Sequence, residues 1–304
     1  MLELPIGEFV ARIVDWLQDS WSGLFGLIAA VMEFLINLVL LGLTAPHWLV
    51  IVAACTGLAW WARGVGFALF TAAGFVVIQG MQLWPETMAT LAIAVVATVL
   101  ALLVGLPVGV WAARSRVVSA IIRPILDFMQ TLPVFVYLIP AVFFFGIGVV
   151  PGVIATFIFA IAPAVRLTEL GIRQVDHEMV EAGLAFGARP RQLLRQVQLP
   201  LAMPSIMAGL NQVIMMSLSM VVIAGMVGAG GLGEVVVTGI SRLDVGAGFE
   251  GGIAVVFLAI FLDRLTSAFP RPRKAARRAL PGAEDMETTD EEAASPELPP
   301  ARVA

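Results

Sequence analysis

The sequence predicts an all-α polytopic membrane protein, and three observations support that prediction. Of the 304 residues, 60% are hydrophobic and 13% are charged, and the mean hydropathy is +0.96. A soluble domain of this length could not bury so much apolar surface, so lipid must be its main solvent. Apolar runs of membrane-spanning length recur along the chain, and positive residues collect in alternate segments between them.

Residues 1–46 form an N-terminal region that the sequence allows to be either a membrane helix or an amphipathic one. The run 20–43 is long enough to span, but it carries Glu33 and Asn37 one helical turn apart. These two residues continue a polar stripe that starts at Asp15, which is also typical of a helix lying in the membrane interface. Spanning and lying flat both remain open at this point.

Seven further runs are predicted to span the membrane, which gives seven to eight membrane helices in all. A helix needs about 20 apolar residues to cross the hydrocarbon core, and the first of these runs is short by that measure. We divide them into accessory helices within residues 47–86 and a larger unit within residues 87–270. The predicted spans are 47–62, 65–84, 87–113, 132–150, 151–170, 204–228 and 250–269.

The distribution of arginine and lysine orients these helices. Positive residues collect after the third predicted span, between the fifth and the sixth, and after the seventh, whereas the intervening segments near 85, 151 and 229–249 hold only Arg242. Cytoplasmic loops carry the positive excess. We therefore expect residues 176–200 and the C-terminus to be cytoplasmic.

The composition changes abruptly after about residue 271. A basic stretch is followed by an acidic sequence rich in proline and alanine, and this acidic end accounts for the net charge of −4. Such a sequence cannot build an apolar core. Residues 271–304 are therefore predicted to be a disordered cytoplasmic tail.

A polar patch at residues 176–200 lies between two long apolar runs. Asp176 can cap a helix over 177–186, Gly187 can end it, and Pro190 can occupy the first turn of a second helix. Two short helices joined by a glycine elbow are typical of a docking element. The candidate docking residues are Asp176, Glu178, Glu181, Ala182, Gly183, Gly187, Ala188, Arg189, Leu199 and Pro200.

The motifs of nucleotide binding and catalysis are missing from the sequence. It contains no G-x-x-x-x-G-K-[ST], and the glycine-rich run 228–233 follows a membrane helix rather than a strand. A bend or re-entrant turn with closely approaching backbones explains that run better. His47 and His177 are the only histidines, and no metal-ligand or nucleophile motif accompanies them. We expect no catalytic residue, no metal site and no bound cofactor in this chain.

Prolines and aromatic residues within the spans mark a candidate translocation path. Prolines free backbone carbonyls, which are tolerated where protein or a water-filled path satisfies them, although simple kinks are an equal alternative. Aromatic rings attract quaternary ammonium groups, although packing against lipid or protein is the commoner role. The candidate path residues are Tyr137, Phe143, Phe144 and Pro163.

The docking patch carries the pattern E-A-A, three residues, G, nine residues, I-x-L-P. The matching residues are Glu181, Ala182, Gly187, Leu199 and Pro200. Gly183 and Val197 depart from the pattern conservatively, since one stays small and the other stays β-branched. The segment resembles the EAA loop of binding-protein-dependent ABC importers. The sequence of 127–178 narrows the resemblance to the permease of the glycine betaine/L-proline class, and the likeness runs from about 87 to 270.

That resemblance implies a type I ABC importer fold with a five-helix core, preceded here by the N-terminal extra helices. It also implies two permease copies in a bacterial inner membrane, separate cytoplasmic ATPase subunits that bind ATP and Mg, and an external solute-binding protein. A nucleic-acid partner is not expected. The chain itself would not be an enzyme.

The solute stays open at this stage. Glycine betaine and proline fit the resemblance best, with choline, carnitine and trimethylamine N-oxide as alternatives. A channel or secondary transporter would need an ion or proton site at mid-membrane, but the spans are expected to be nearly free of buried carboxylates, apart from Glu33 if the run 20–43 spans.

Overall fold

A computed structural model describes residues 6–268, and every regular element within them is a helix. The predicted tail 271–304 lies outside the described residues. A π-helical turn (Leu194–Gln198) precedes α10, and a 3₁₀ turn (Gly225–Val227) follows it. The α-helices are α1 (Ile6–Thr44), α2 (Trp48–Arg63), α3 (Val65–Gly80), α4 (Trp84–Arg114), α5 (Arg116–Thr131), α6 (Val134–Phe145), α7 (Val149–Arg173), α8 (His177–Ala185), α9 (Pro190–Leu193), α10 (Leu199–Ala224), α11 (Gly231–Ser241) and α12 (Val245–Thr266).

Helix α1 is divided into two parts by a break in its backbone geometry. Its helical geometry breaks at Trp21, where φ is −125° and ψ is 21°. The part after this break is about 35 Å long at 1.5 Å per residue, enough to cross a core about 30 Å thick. Ile36 in this part is buried against Ile93 of α4 and Val153 of α7. The contacts favour a span after Trp21, whereas the acidic Asp15 belongs to the segment before it.

Helix α2 matches the short span predicted over 47–62, whereas α3 is shorter than the span predicted over 65–84. Each has 16 residues, which is about 24 Å of helix and less than the hydrocarbon core. Gly64, with φ of 85°, separates them. Within residues 6–268, five helical stretches are long and apolar enough to cross a membrane, and a bent pair makes a sixth.

The bent pair corrects the prediction that residues 132–150 form one span. Helix α6 covers only Val134–Phe145, and its axis makes an angle of 100° with that of α5. The break between them has a local cause, since the residue before a proline avoids helical geometry and Leu132 precedes Pro133 with ψ of 135°. At the other end, Gly146 and Gly148 have positive φ and separate α6 from α7.

The core of the described chain lies where α4, α7 and α10 pack together. Their contact surfaces carry small residues, so the backbones approach closely, as in other membrane helix pairs. A Cβ atom on Gly105 of α4 would lie 2.5 Å from Cβ of Ala164 in α7. Likewise, a Cβ atom on Gly209 of α10 would lie 3.1 Å from Cβ of Leu167 in α7. These contacts make α7 the central helix of the core.

The glycine-rich run 228–233 forms the bend that the sequence predicted. Gly228 is left-handed at φ 73°, and a Cβ atom on Gly225 would lie 2.3 Å from the carbonyl carbon of Gly233. The chain then enters α11, whose Leu232 N–H donates to Oγ1 of Thr90 in α4 at 2.8 Å. The run therefore fixes α11 to α4 through a tight backbone turn and is not preceded by a strand.

Candidate functional site

The first docking helix, α8, has the start and the end that its sequence predicts. The carboxylate of Asp176 accepts a hydrogen bond from the Glu178 N–H at 3.0 Å, which satisfies one of the free donors of the first turn. The helix runs over His177–Ala185, against the predicted 177–186. His177 Nδ1 lies 3.0 Å from a carboxylate oxygen of Glu181 one turn later, with both side chains exposed.

Gly187 forms the elbow between the two docking helices. Its φ is 79°, a left-handed conformation that glycine adopts without a Cβ clash. Its N–H donates to the Leu184 carbonyl at 2.9 Å, and the Ala188 N–H donates to the Gly183 carbonyl at 3.1 Å. These bonds satisfy the carbonyls at the end of α8 and set the direction in which the chain leaves it.

The second docking helix starts at Pro190, the position at which a missing N–H is tolerated. The Arg189 N–H before it donates to Oε1 of Gln192 at 2.9 Å. Helix α9 then continues through the π-helical turn Leu194–Gln198 into α10, so Leu199 and Pro200 are the first residues of a membrane helix. No break in the helical path separates the docking element from α10.

The two docking helices pack closely through a glycine. A Cβ atom on Gly183 would lie 2.7 Å from Cδ1 of Leu193 and 3.9 Å from Cγ2 of Val197. Leu193 and Leu194 are buried beneath them. The two departures from the motif pattern, Gly183 and Val197, therefore lie close to each other, and the contact with Leu193 favours a small residue at position 183.

The surface of α8 exposes apolar side chains that the sequence reasoning missed. Met179 and Leu184 are about half exposed, and Phe186 at the end of the helix is 93% exposed. Glu178, Glu181 and Ala182 are exposed beside them. Large apolar groups among charged ones are typical of a protein-binding surface. In a chain rich in apolar residues, their presence gave no signal until their exposure was known.

A buried carboxylate lies about two helical turns before the docking element and was also missed. Glu169 of α7 is 3% exposed. Its Oε1 accepts from Ser119 Oγ at 2.7 Å and from Arg123 Nη2 at 2.9 Å, both on α5. Nε of Arg173 lies 3.0 Å from the same oxygen. The expectation that the spans hold almost no buried carboxylate apart from Glu33 fails at Glu169, which is buried near the end of α7, whereas Glu33 is exposed.

These contacts tie four segments together around the docking element. Arg173 also donates to the Ala112 carbonyl of α4 at 2.9 Å. On the opposite side, a Cβ atom on Gly171 would lie 2.7 Å from Cβ of Ser205 in α10. A second ion pair, between Arg166 of α7 and Asp127 of α5, is exposed. Helices α4, α5 and α10 thus each contact α7 close to the docking element.

The structure does not bring the four candidate path residues around one cavity within the part of the chain that it describes. Tyr137 is buried and donates a hydrogen bond to the Met129 carbonyl of α5. Phe143 is exposed, whereas Phe144 stacks on Phe25 of α1 with ring centroids 4.8 Å apart. Pro163 is buried in the middle of α7. Their role in a path stays a prediction.

His47 lies at the start of α2, outside the docking element. His47 caps α2 through Nδ1, which accepts from the Leu49 N–H at 3.4 Å, and its ring lies beside Trp48 at 5.8 Å. This is the polar and aromatic cluster typical of a membrane boundary. Among residues 6–268, no three His, Cys, Asp or Glu side chains come together in a group that could hold a metal ion.

Comparison with known proteins agrees with this geometry. Residues 105–273 match the family described as binding-protein-dependent transport system inner membrane component. The chain is 46% identical over 275 residues to the glycine betaine/proline betaine transport system permease protein ProW of Escherichia coli, covering 90% of this chain and 77% of that one. It is 45% identical over 276 residues to the glycine betaine transport system permease protein OpuAB of Bacillus subtilis, covering 91% and 98%.

A solved structure shares the fold. It shows inward-facing conformations of the MetNI methionine ABC transporter, and one of its chains superimposes with a TM-score of 0.54 at 25% identity, over 62% of this chain and 96% of that one. The family match covers more than half of the sequence, and the relatives match along most of it. The chain therefore belongs to the family of inner membrane components of binding-protein-dependent transport systems.

Proposed function

We propose that the chain is the permease subunit of an ATP-driven importer of glycine betaine or a closely related compatible solute. The observation that carries the proposal is the docking element, whose exposed α8 surface continues through α9 into the membrane helix α10. Two relatives at 45–46% identity are named for glycine betaine transport, which supports the solute class. Choline, carnitine and trimethylamine N-oxide are the alternative solutes.

In this proposal ATP and Mg bind to a separate cytoplasmic ATPase, and this chain transmits the movement of that subunit. Closure of the ATPase pulls on the exposed face around Glu181 and Phe186. Since α10 starts without a break from α9, and since Glu169 joins α7 to α5, the pull moves whole membrane helices. Two permease copies then alternate between inward and outward openings and accept solute from an external binding protein.

The proposed orientation follows from the positive residues. The end of α7 and the docking element carry arginines, whereas the connection from α11 to α12 carries Arg242 alone. The docking element and the C-terminus are therefore assigned to the cytoplasm of a bacterial inner membrane. A cysteine at position 189, in a background without Cys55, should resist an impermeant thiol reagent in intact cells, whereas one at position 240 should react.

The test of function is uptake by the reconstituted complex of permease, ATPase and binding protein. Radiolabelled glycine betaine should accumulate only with ATP and with the binding protein. An ATPase variant unable to hydrolyse ATP is the control and should abolish uptake. Unlabelled choline or carnitine should compete if the alternative solutes are substrates. Competition by sugars or phosphate, with none by quaternary amines, would refute the solute class, and ATP-independent uptake would favour a secondary transporter.

A further inference from the structure

One polar feature inside the membrane part is not used by the docking machinery. Glu33 and Asn37 of α1 line a cavity of about 400 Å³, together with the ring of Phe145 at the end of α6. The glycine-containing breaks before α7 and α11 also line it, through Gly148 and Gly230. The cavity therefore lies where three helices end or begin.

The two polar side chains lack partners among the described residues. Within residues 6–268 neither Glu33 nor Asn37 makes a hydrogen bond or an ion pair, and both are exposed and line the cavity. A carboxylate within a membrane span is costly unless a cation or a water-filled site accompanies it. Glu33 therefore offers an unpaired negative charge to a cation that enters the cavity.

We infer that this cavity is a binding site for the transported solute, with the quaternary ammonium group between the Glu33 carboxylate and the Phe145 ring. The inference rests on the proposed function for the identity of the solute. Residues four apart on a helix lie about 5–6 Å from each other, so Asn37 can donate its amide N–H to the negative end of a zwitterion held at Glu33. The Glu33 carboxylate and the Asn37 amide at this spacing match the positive and the negative group of a small zwitterion.

The aromatic wall fits the same ligand. A cation within about 6 Å of an aromatic ring is attracted to its face. The Phe145 ring is held by an edge contact with Phe25 of α1, with centroids 5.6 Å apart. The ring therefore has a fixed orientation beside the polar pair. A volume of about 400 Å³ also falls in the range of roughly 300–1,000 Å³ of small-molecule sites.

The position of the cavity suits a site that receives solute from the binding protein. Its wall includes Ala89 and Ile93 in the first three turns of α4 and the first residues of α7, among them Pro151. In the proposed orientation these helix starts lie in the outer half of the membrane. The opposite ends of α4 and α7 lead to Ala112 and Glu169 beside the docking element.

A lipid with a choline headgroup presents the same ammonium group, so the experiment must separate the two sources. The assembled permease–ATPase complex is placed in nanodiscs of phosphatidylglycerol and phosphatidylethanolamine, without the binding protein. Equilibrium binding of radiolabelled glycine betaine is then measured for the wild type and for variants. A second set of nanodiscs contains phosphatidylcholine as the competing headgroup.

Glu33→Gln keeps the size of the side chain and removes its charge, so it should weaken binding by at least about tenfold. Phe145→Leu keeps an apolar wall and should weaken it by about two- to tenfold. Glu33→Asp should retain part of the affinity. The matched control is Asp19→Asn, on the same helix but before the break at Trp21 and outside the cavity lining, and it should bind like the wild type.

Each other outcome overturns the inference. If glycine betaine does not bind saturably to the wild type, or if Glu33→Gln and Asp19→Asn bind it equally well, the cavity is not a solute site. Glycine betaine binding that disappears in phosphatidylcholine nanodiscs assigns the cavity to a lipid headgroup. Uptake by the wild type in the complete reconstituted system is measured in parallel. If the wild type does not take up glycine betaine, the proposed function is refuted. If it does, and Glu33→Gln binds glycine betaine as well as the wild type, only the site is refuted.

Discussion

Replacing Glu169 with glutamine tests whether the buried carboxylate holds α5 against α7. One oxygen of Glu169 is shared by Ser119 and Arg123 of α5 and by Arg173 of α7. Glutamine has nearly the same shape and keeps one acceptor oxygen. The substitution therefore removes the charge without creating a cavity.

The size of the effect follows from the burial of the three partners. A hydrogen bond to a charged group contributes about 1.5–3 kcal/mol, and breaking a fully buried ion pair costs about 3–5 kcal/mol. Here Ser119 is buried, but the side chains of Arg123 and Arg173 are 57% and 32% exposed and can rehydrate. We therefore expect Glu169→Gln to destabilise the fold by about 2–3 kcal/mol, below the range for a fully buried pair.

The same two helices supply a matched control. Asp127 of α5 and Arg166 of α7 form an ion pair whose side chains are 64% and 38% exposed. An exposed pair contributes about 0–1 kcal/mol, so Asp127→Asn should change little. The comparison separates the effect of burial from the effect of losing any charge between α5 and α7.

Thermal unfolding of the purified chain measures the difference. The single cysteine, Cys55, lies half-buried in α2 and reacts with a thiol-specific dye as the fold opens. Glu169→Gln should lower the apparent midpoint by about 4–10 °C, and Asp127→Asn by less than about 3 °C. Equal shifts for the two variants would mean that Glu169 does not hold α5 to α7.

Three further predictions concern the elbow, the docking surface and the glycine turn. Gly187→Val should strain the left-handed backbone at the elbow by roughly 1–3 kcal/mol and should sharply reduce solute uptake. Asparagine tolerates a left-handed backbone, so Gly187→Asn should retain most of the uptake in the same assay. Glu181→Lys reverses a charge on the exposed face of α8. The complex should still assemble, but solute should stimulate its ATP hydrolysis less than in the wild type. Unchanged stimulation would exclude Glu181 from the docking contact. Gly225→Ala should reduce the yield of folded protein on size-exclusion chromatography, because its Cβ would lie 2.3 Å from backbone of Gly233, whereas Gly252→Ala, which meets nothing within 4 Å, should not.

The spans that were predicted well are those in which the length of the apolar run is enough to identify a membrane helix. The cores of α4, α7, α10 and α12 are long apolar runs, and hydropathy finds them without knowledge of their neighbours. Hydropathy failed at residues 132–150 because it counts apolar residues and ignores backbone geometry. Pro133 at one end, and Gly146 and Gly148 at the other, divide an apolar run into a bent pair.

The docking element was predictable for a different reason, since its geometry is set locally. Asp176, Gly187 and Pro190 act on the backbone within one or two turns of themselves, so their identity and spacing are enough to predict a cap, an elbow and a helix start. Arg173 lies one turn from Glu169, but the partners of Glu169 on α5 lie 46 and 50 residues away along the chain. No local sequence pattern predicts a contact between residues so far apart in the chain. In the sequence, the arginines near Glu169 indicated only which side of the membrane this segment faces.

Helix α7 joins the two polar sites physically. Its first residues line the cavity beside Glu33, and its last turn carries Glu169 and Arg173 beside the docking element. The helix has 25 residues and is therefore about 38 Å long, which spans the distance from one side of a membrane to the other. Pro163, first taken as a path residue, lies within this helix, where the missing hydrogen bond allows a kink. A displacement of the docking element that tilts the last turns of α7 must either tilt its cavity end as well or change the bend at Pro163, and both movements alter the walls around Glu33.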